Sequence, residues 1–211
     1  MSQRMDKIFH DRNNTILNNA ETLFRLKGFD KVTMNDIAKE SDVAKGTLYL
    51  HFKSKEQLLF NILRPKLEEF NRKVKLIDKN ENLTRDKIKK IITYGFDSSF
   101  FDFTMEHFLY MHKLFNVQYH NELNLIIDKI INNFSLILQE GKEKNDIKSS
   151  LPNNYLSHQL MHIFDPQIYF SLVEIEKNTK ESFVRNTITF YLNVLSTANE
   201  GESYNGSTIK K

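Results

Sequence analysis

From Val43 to Lys55 the chain carries Lys45, Lys53 and Lys55 and no Asp or Glu. Such a run of cations suits the neutralisation of phosphates and not the making or breaking of bonds. Thr47, Tyr49 and His51 add hydrogen-bonding groups to it. A second pattern points to different chemistry. His158 and His162 are four apart and share a face if helical, the spacing of a two-histidine metal site, with His107, His112 or His120 as candidate third ligands. No Glu follows His158 as a HExxH site requires, there is no cysteine, and no Gly-rich phosphate loop or GxSxG elbow is present. One such pair among seven histidines is unsurprising in a helical chain. A helical metal-binding protein or metalloenzyme using His158 and His162 is therefore the alternative, and a non-enzyme with no cofactor or resident metal is the main expectation.

The lysine run must be held by short elements. Thr33 can cap a helix that places Met34, Ile37 and Ala38 on one face, and small Ala38 lets a second helix cross closely. After Ser41 and Asp42 the chain turns, and Val43, Leu48 and Phe52 supply the next apolar contacts. This is a helix-turn-helix pattern. Ser54 opens a further helix with Gln57 at the capping-box spacing, and Lys53 and Lys55 flank its positive end, where a phosphate would bind well.

Residues 28–59, GFDKVTMNDIAKESDVAKGTLYLHFKSKEQLL, resemble the N-terminal DNA-binding domain of the TetR family of bacterial transcriptional regulators. The resemblance includes Ala20, Leu23 and Phe24 of the preceding helix, Gly28 and Phe29 ending it, Thr33, Ile37, Ala38, Val43, Gly46, Tyr49 with Phe52, and Lys55 with Leu58. Two positions depart from the family pattern: Asp42 stands where the turn usually has Gly, and Ala44 where the recognition helix usually opens with Ser or Thr. The resemblance implies that Lys45, Gly46 and Thr47 approach base edges and adjacent phosphates, and that Thr33, Tyr49, His51 and Lys55 hold phosphates. It implies a ligand-responsive regulator, more often a repressor, that binds a palindromic double-stranded operator as a homodimer and is released by a small effector. A DNA-binding architectural protein without an effector is the remaining reading.

The rest of the chain reads as all-α. Helices are expected at 7–27, from 55 past Pro65 to about 76, and at 84–101, 104–115, 121–144, 152–177 and 180–197, with a polar break over 78–83. The expected organisation is a three-helix helix-turn-helix domain over 1–53, a helical effector-binding and dimerisation domain over 54–198 with helix four as connector, and a disordered polar tail over 199–211. Val184, Ile188, Tyr191 and Leu195 form an apolar stripe, and the resemblance implies a four-helix dimer interface from the last two helices of each subunit. Two recognition helices about 34–36 Å apart would then enter successive major grooves.

The candidate effector site is the aromatic middle of the chain. Phe100, Phe103, His107, Tyr110, Met111, Phe115 and Phe170 are its expected apolar and polar lining, suited to a mainly apolar or aromatic molecule. Pro166 interrupts the 156–176 pattern and lacks an N–H for the carbonyl of His162, which predicts a kink with Asp165 as cap, so His162 and Asp165 are expected at the cavity's edge. The chain has 211 residues, a net charge of +3 and no cysteine. It has no apolar run of membrane-spanning length and no signal-peptide core near its start. A bacterial cytoplasmic location follows as the expectation.

Overall fold

The computed structural model describes residues 3–115 and 119–197, with the side chains of residues 3, 4, 111–115, 120 and 174 excepted. Met111 and Phe115, the third-ligand candidates His112 and His120, and the 199–211 tail therefore lie outside the described side chains. The described residues are helical and contain no strand. They run α1 (Gln3–Lys27), α2 (Met34–Glu40), α3 (Lys45–His51), α4 (Lys55–Asn80), α5 (Thr84–Phe96), α6 (Ser99–Phe115), α7 (His120–Glu143), α8 (Asn153–His162), α9 (Pro166–Tyr169), a π-helical turn (Phe170–Ile175) and α10 (Lys180–Ser196). No helix among the described residues is long and apolar enough to cross a membrane.

α1, α2 and α3 form the small N-terminal bundle. Ile16, Ala20, Leu23 and Phe24 of α1 meet Ile37 and Ala38 of α2 and Leu48 of α3, all buried. Gly28 ends α1 at φ 84°, a left-handed position that suits glycine. α4 then runs unbroken through Pro65, buries Leu58, Leu59, Ile62 and Leu63 near its start, and carries Leu67, Phe70, Val74 and Ile77 into the second core. It packs against α1 and also against α5, α6 and α7.

Three close approaches fix the second core. Gly141 of α7 sits so near α5 that a methyl group there would lie 2.5 Å from the Thr84 hydroxyl oxygen. Gly95 of α5 is covered by the Phe164 ring, which in turn meets Phe70 and Phe96 at centroid distances of 5.4 and 5.1 Å. Buried Lys87 of α5 bridges Asp78 of α4 at 2.8 Å and Glu140 of α7 at 2.9 Å. Asp146 completes the frame by accepting from the backbone N–H and hydroxyl of Thr84, which caps α5.

Two expected helices are divided differently in the structure, and α4 runs on to Asn80, into the polar break expected over 78–83. The expected helix over 84–101 ends at Phe96, because the Ser98 hydroxyl donates to the Gly95 carbonyl at 2.6 Å and accepts from the Phe101 N–H, closing one helix and opening the next. The expected helix over 152–177 is three pieces. Pro166 starts α9, and Asp165 accepts from the Gln167 N–H at 2.8 Å, the cap that the proline predicts. The His162 carbonyl is not left free, since the Asp165 N–H takes it at 3.0 Å.

Candidate nucleic-acid interface and ligand cavity

The turn between α2 and α3 is closed by two backbone bonds, from the Val43 N–H to the Ala38 carbonyl and from the Asp42 N–H to the Lys39 carbonyl, which is a Schellman arrangement. Asp42 occupies the left-handed position at φ 49° that glycine would fill without strain. Thr33 and Asp36 form a reciprocal capping box at the start of α2. Asn19 of α1 donates to the Glu40 carbonyl at 3.1 Å, so the end of α2 is tied to the first helix as well. α2 is therefore fixed at both ends, and the turn sets α3 against it. Leu48 of α3 is fully buried, followed by buried Phe52, while Lys45, Gly46, Tyr49 and Leu50 are exposed and Thr47 is half-buried.

The remaining cations and the histidine of this surface have defined partners. The Lys53 ammonium donates to the Tyr49 carbonyl at 2.7 Å. The Lys55 ammonium donates to the Phe29 carbonyl at 2.6 Å and lies 4.5 Å from the centre of the Phe29 ring, so it locks the end of α1 to the start of α4. Ser54 caps α4, and Gln57 folds back to accept from the Lys53 N–H at 2.6 Å. His51 Nδ1 pairs with Asn13 Oδ1 at 2.6 Å, and its ring stacks on Phe9 at 4.2 Å. Burial, with the Arg12 cation added, lowers its pKa. Among the sequence-predicted contact residues, Lys45, Gly46 and Tyr49 are thus exposed on α3, Thr47 is half-buried there and Thr33 is exposed at the start of α2, whereas His51 and Lys55 also serve as internal fasteners. Leu50, outside the predicted set, is 74% exposed on the same helix; a large apolar residue left bare there was the signal available in the sequence.

A cavity of about 560 Å³ lies among α4, α6, α7, α8 and α9. Leu63, Leu67, Phe100, Phe108, Met161 and Phe164 give it apolar walls. Asn124, Asp128, His158, His162, Asp165 and Gln167 give it polar groups. Phe100, His162 and Asp165 of the predicted set are thus brought together. Phe103, His107 and Tyr110 are not. They lie on another side of α6 and face the N-terminal bundle: the His107 ring stacks on Phe103 at 4.4 Å and meets Phe24 edge-on at 6.4 Å, and Tyr110 lies 5.5 Å from Phe29. Lys66 of α4 joins this contact by pairing with Glu21 of α1 at 2.9 Å and covering the Phe103 ring. His107 is buried with both ring nitrogens unpartnered, and burial lowers its pKa. Phe170 also falls outside the cavity lining; it is partly exposed and rests against the Phe108 ring.

His158 and His162 border the same cavity, but His158 Nδ1 is paired with the Asn154 carbonyl at 2.7 Å. No group of three or more His, Cys, Asp or Glu able to hold a metal forms among the described residues.

The stripe of α10 expected at a subunit interface is turned inward in part. The Tyr191 hydroxyl donates to the buried Leu156 carbonyl of α8 at 2.7 Å and Leu195 is fully buried, whereas Val184 and Ile188 are half-buried and border the groove between α5 and α10. Phe190 is instead the bare position, at 67% exposure. It borders a groove of about 440 Å³ with Ile163, Ile168, Leu172 and Thr187 from α8 to α10.

Residues 16–62 match the family described as bacterial regulatory proteins, tetR family. Over 204 residues the chain is 24% identical to the HTH-type transcriptional regulator YfiR of Bacillus subtilis, covering 95% of this chain and 100% of that protein. It is 33% identical over 85 residues to IcaR of Staphylococcus aureus, the negative transcriptional regulator of a biofilm operon, covering 40% of this chain and 44% of that one. The fold is similar to that of the transcriptional regulator FadR from Bacillus subtilis, solved in complex with stearoyl-CoA. The TM-score is 0.62 with 19% identity, over 87% of this chain and 97% of that chain.

Proposed function

Because the chain belongs to the TetR family of bacterial regulatory proteins, whose members are transcriptional regulators and not enzymes, we propose that it represses transcription by binding a palindromic operator as a cytoplasmic homodimer. In this reading residues 1–53 bind DNA, residues 54–198 bind an effector and the second subunit, and a small, mainly apolar effector releases the DNA. The observation that carries it is the outward side of α3, where Lys45, Gly46, Tyr49 and Leu50 stand exposed on a helix anchored by Leu48 and Phe52. Lys45, Gly46 and Thr47 approach base edges and phosphates, Thr33 and Tyr49 hold the flanking backbone, and His51 and Lys55 set the position of α3 while facing the same strand. The repressor assignment is supported by the printed role of IcaR as a negative regulator. The groove around Phe190, an apolar face that a second subunit would cover, supports the dimer.

Release requires that effector and DNA prefer different arrangements. α6 supplies the link. Phe100, Thr104 and Phe108, spaced by four, face the cavity, whereas Phe103, His107 and Tyr110 meet α1 and the residues that follow it. A molecule that displaces the first row displaces the second, and with it the seat of the N-terminal bundle. A hundredfold loss of operator affinity needs the effector to favour the released state by about 3 kcal/mol.

The test is binding of purified protein to the intergenic DNA beside its own gene, and to DNA selected from a random pool, over a salt series. Lys45→Ala is expected to weaken binding and lower the salt slope by about 1 without changing thermal stability. Lys55→Ala is expected to weaken binding and also lower stability, because the Phe29 carbonyl and ring lose their partner. Failure to prefer any sequence over random DNA, or binding unaffected by Lys45→Ala, would refute the assignment.

A further inference from the structure

The cavity has a charge bias that the chain as a whole lacks. The protein has 30 Lys and Arg against 27 Asp and Glu, yet the described residues lining the cavity include Asp128 of α7 and Asp165 at the start of α9 and no Lys or Arg. Other surface grooves differ. The one between α4 and α5 mixes Lys73, Lys89 and Lys90 with Glu81 and Asp86, and the one between α5 and α10 mixes Lys180 and Arg185 with Asp97 and Glu181. Asp165 is also fixed in place, since it caps Gln167 of α9. The interior of the same cavity offers the rings of Phe100, Phe108 and Phe164.

These groups together define a ligand chemistry. A carboxylate, phosphate or coenzyme A head would enter beside two carboxylates with no Lys or Arg to balance it, only the imidazoles of His162 and of His158, whose Nδ1 is already taken by the Asn154 carbonyl, and this costs Coulomb energy in a partly desolvated site. An amine or quaternary ammonium gains at the same position, from the carboxylates at the edge and from aromatic faces further in. An attached alkyl or aryl body would fill the walls made by Leu63, Leu67 and Met161. We infer that the effector is a lipophilic cation, an amine or ammonium group on an apolar body, seated with its charge between Asp128 and Asp165. This rests on the proposed effector role of the cavity, and it separates the chain from the FadR structure solved with the polyanionic stearoyl-CoA.

Calorimetric titration of the full chain with decyltrimethylammonium, 1-decanol and decanoate, each below its micelle concentration, tests it, because the three share one alkyl length and differ in charge. The cation is expected to bind about tenfold or more tighter than the alcohol, and decanoate the weakest. Asp128→Asn and Asp165→Asn are each expected to reduce the preference for the cation while leaving decanol binding in place; Asn keeps the cap at position 165. Equal or tighter binding of decanol or decanoate would overturn the charge assignment and leave the cavity intact as an apolar site. A preference for the cation that survives both substitutions would overturn it as well. Absence of binding by all three would overturn this inference and, with it, the effector role of the cavity.

Discussion

Gly95→Ala sets two physical effects against each other. In a helix, alanine is favoured over glycine by up to about 1 kcal/mol, so propensity alone makes the variant more stable. The structure reverses that sign. A methyl group on Gly95 would lie 3.0 Å from Cδ1 of Phe164 and closer still to two further carbons of that ring. The ring has little room to retreat, because it packs on Phe70 at 5.4 Å and Phe96 at 5.1 Å, both fully buried. Overpacking of this kind costs about 1–3 kcal/mol, and the propensity gain offsets only part of it. The net expectation is a loss of about 1–2 kcal/mol, read as a melting temperature lower by roughly 2–8 °C for a chain of this size. Thermal and urea unfolding should be compared at equal protein concentration, since association shifts apparent stability. Phe164→Leu in the Gly95→Ala background relieves the clash, so the double variant should lose less than the sum of the two single ones by about 0.5 kcal/mol or more. An increase in stability for Gly95→Ala alone, or strict additivity with Phe164→Leu, would refute the argument that the ring occupies that space.

Two predictions concern titration. Hydrogen bonds from Lys144 and then Lys87 hold the Glu140 carboxyl at about 2, against an ordinary value of 4.5. A depressed folded value means that this contribution is present above 4.5 and is lost as the pH falls towards 2. Glu140→Gln should therefore flatten the acid limb of the stability profile in that window, and an unchanged limb in urea melts would contradict it. His107 lies below its ordinary value of 6.5 because burial disfavours the cation, so the unfolded chain takes up the proton first and stability falls below pH 6.5. His107→Leu removes two unpartnered nitrogens; it should raise stability at pH 7.5 by on the order of 1 kcal/mol and remove part of the loss at pH 5.5. A less stable variant with the wild-type pH profile would show that the imidazole is paired.

Much of the N-terminal bundle was legible in the sequence because its determinants are local. The Thr33 cap, Gly28, the Asp42 turn and the Ser54 cap act over spans of a few residues, and the structure shows each at its expected place. The second domain was legible only as helices. Its break at residues 97–98 depends on the Ser98 hydroxyl reaching the Gly95 carbonyl, and on Phe164, 69 positions later in the chain, covering Gly95. No periodicity within the 84–101 segment carries that information. The α10 stripe was legible only in part for a similar reason. Val184, Ile188, Tyr191 and Leu195 have the spacing of a buried face, but spacing does not say which residues the chain itself covers: Tyr191 and Leu195 are buried, whereas Val184 and Ile188 stay half-buried at a surface groove.

α6 shows the same limit inside the candidate site. Its aromatic density marks residues 100–110 as important, and a list drawn from density alone mixes two surfaces. At about 3.6 residues per turn the row 100, 104, 108 and the row 103, 107, 110 drift to opposite sides of one line along the helix and lie about 90° apart on average, on neighbouring faces. Phe100, Thr104 and Phe108 therefore reach the cavity, and Phe103, His107 and Tyr110 reach the N-terminal bundle, although every one of them is aromatic, polar or both. That division turns a misassignment into a functional argument. In the proposed reading, a helix with the cavity on one side and the N-terminal bundle on the other couples the two, because it cannot move for one without moving for the other. Lys66, paired with Glu21 across the same joint, ties α4 to that motion. The cost of the unpartnered His107 imidazole falls at this joint, so under the proposed function an arrangement that opened the joint and let the ring meet water would recover part of that cost, and an effector that favoured it would have that much less to supply.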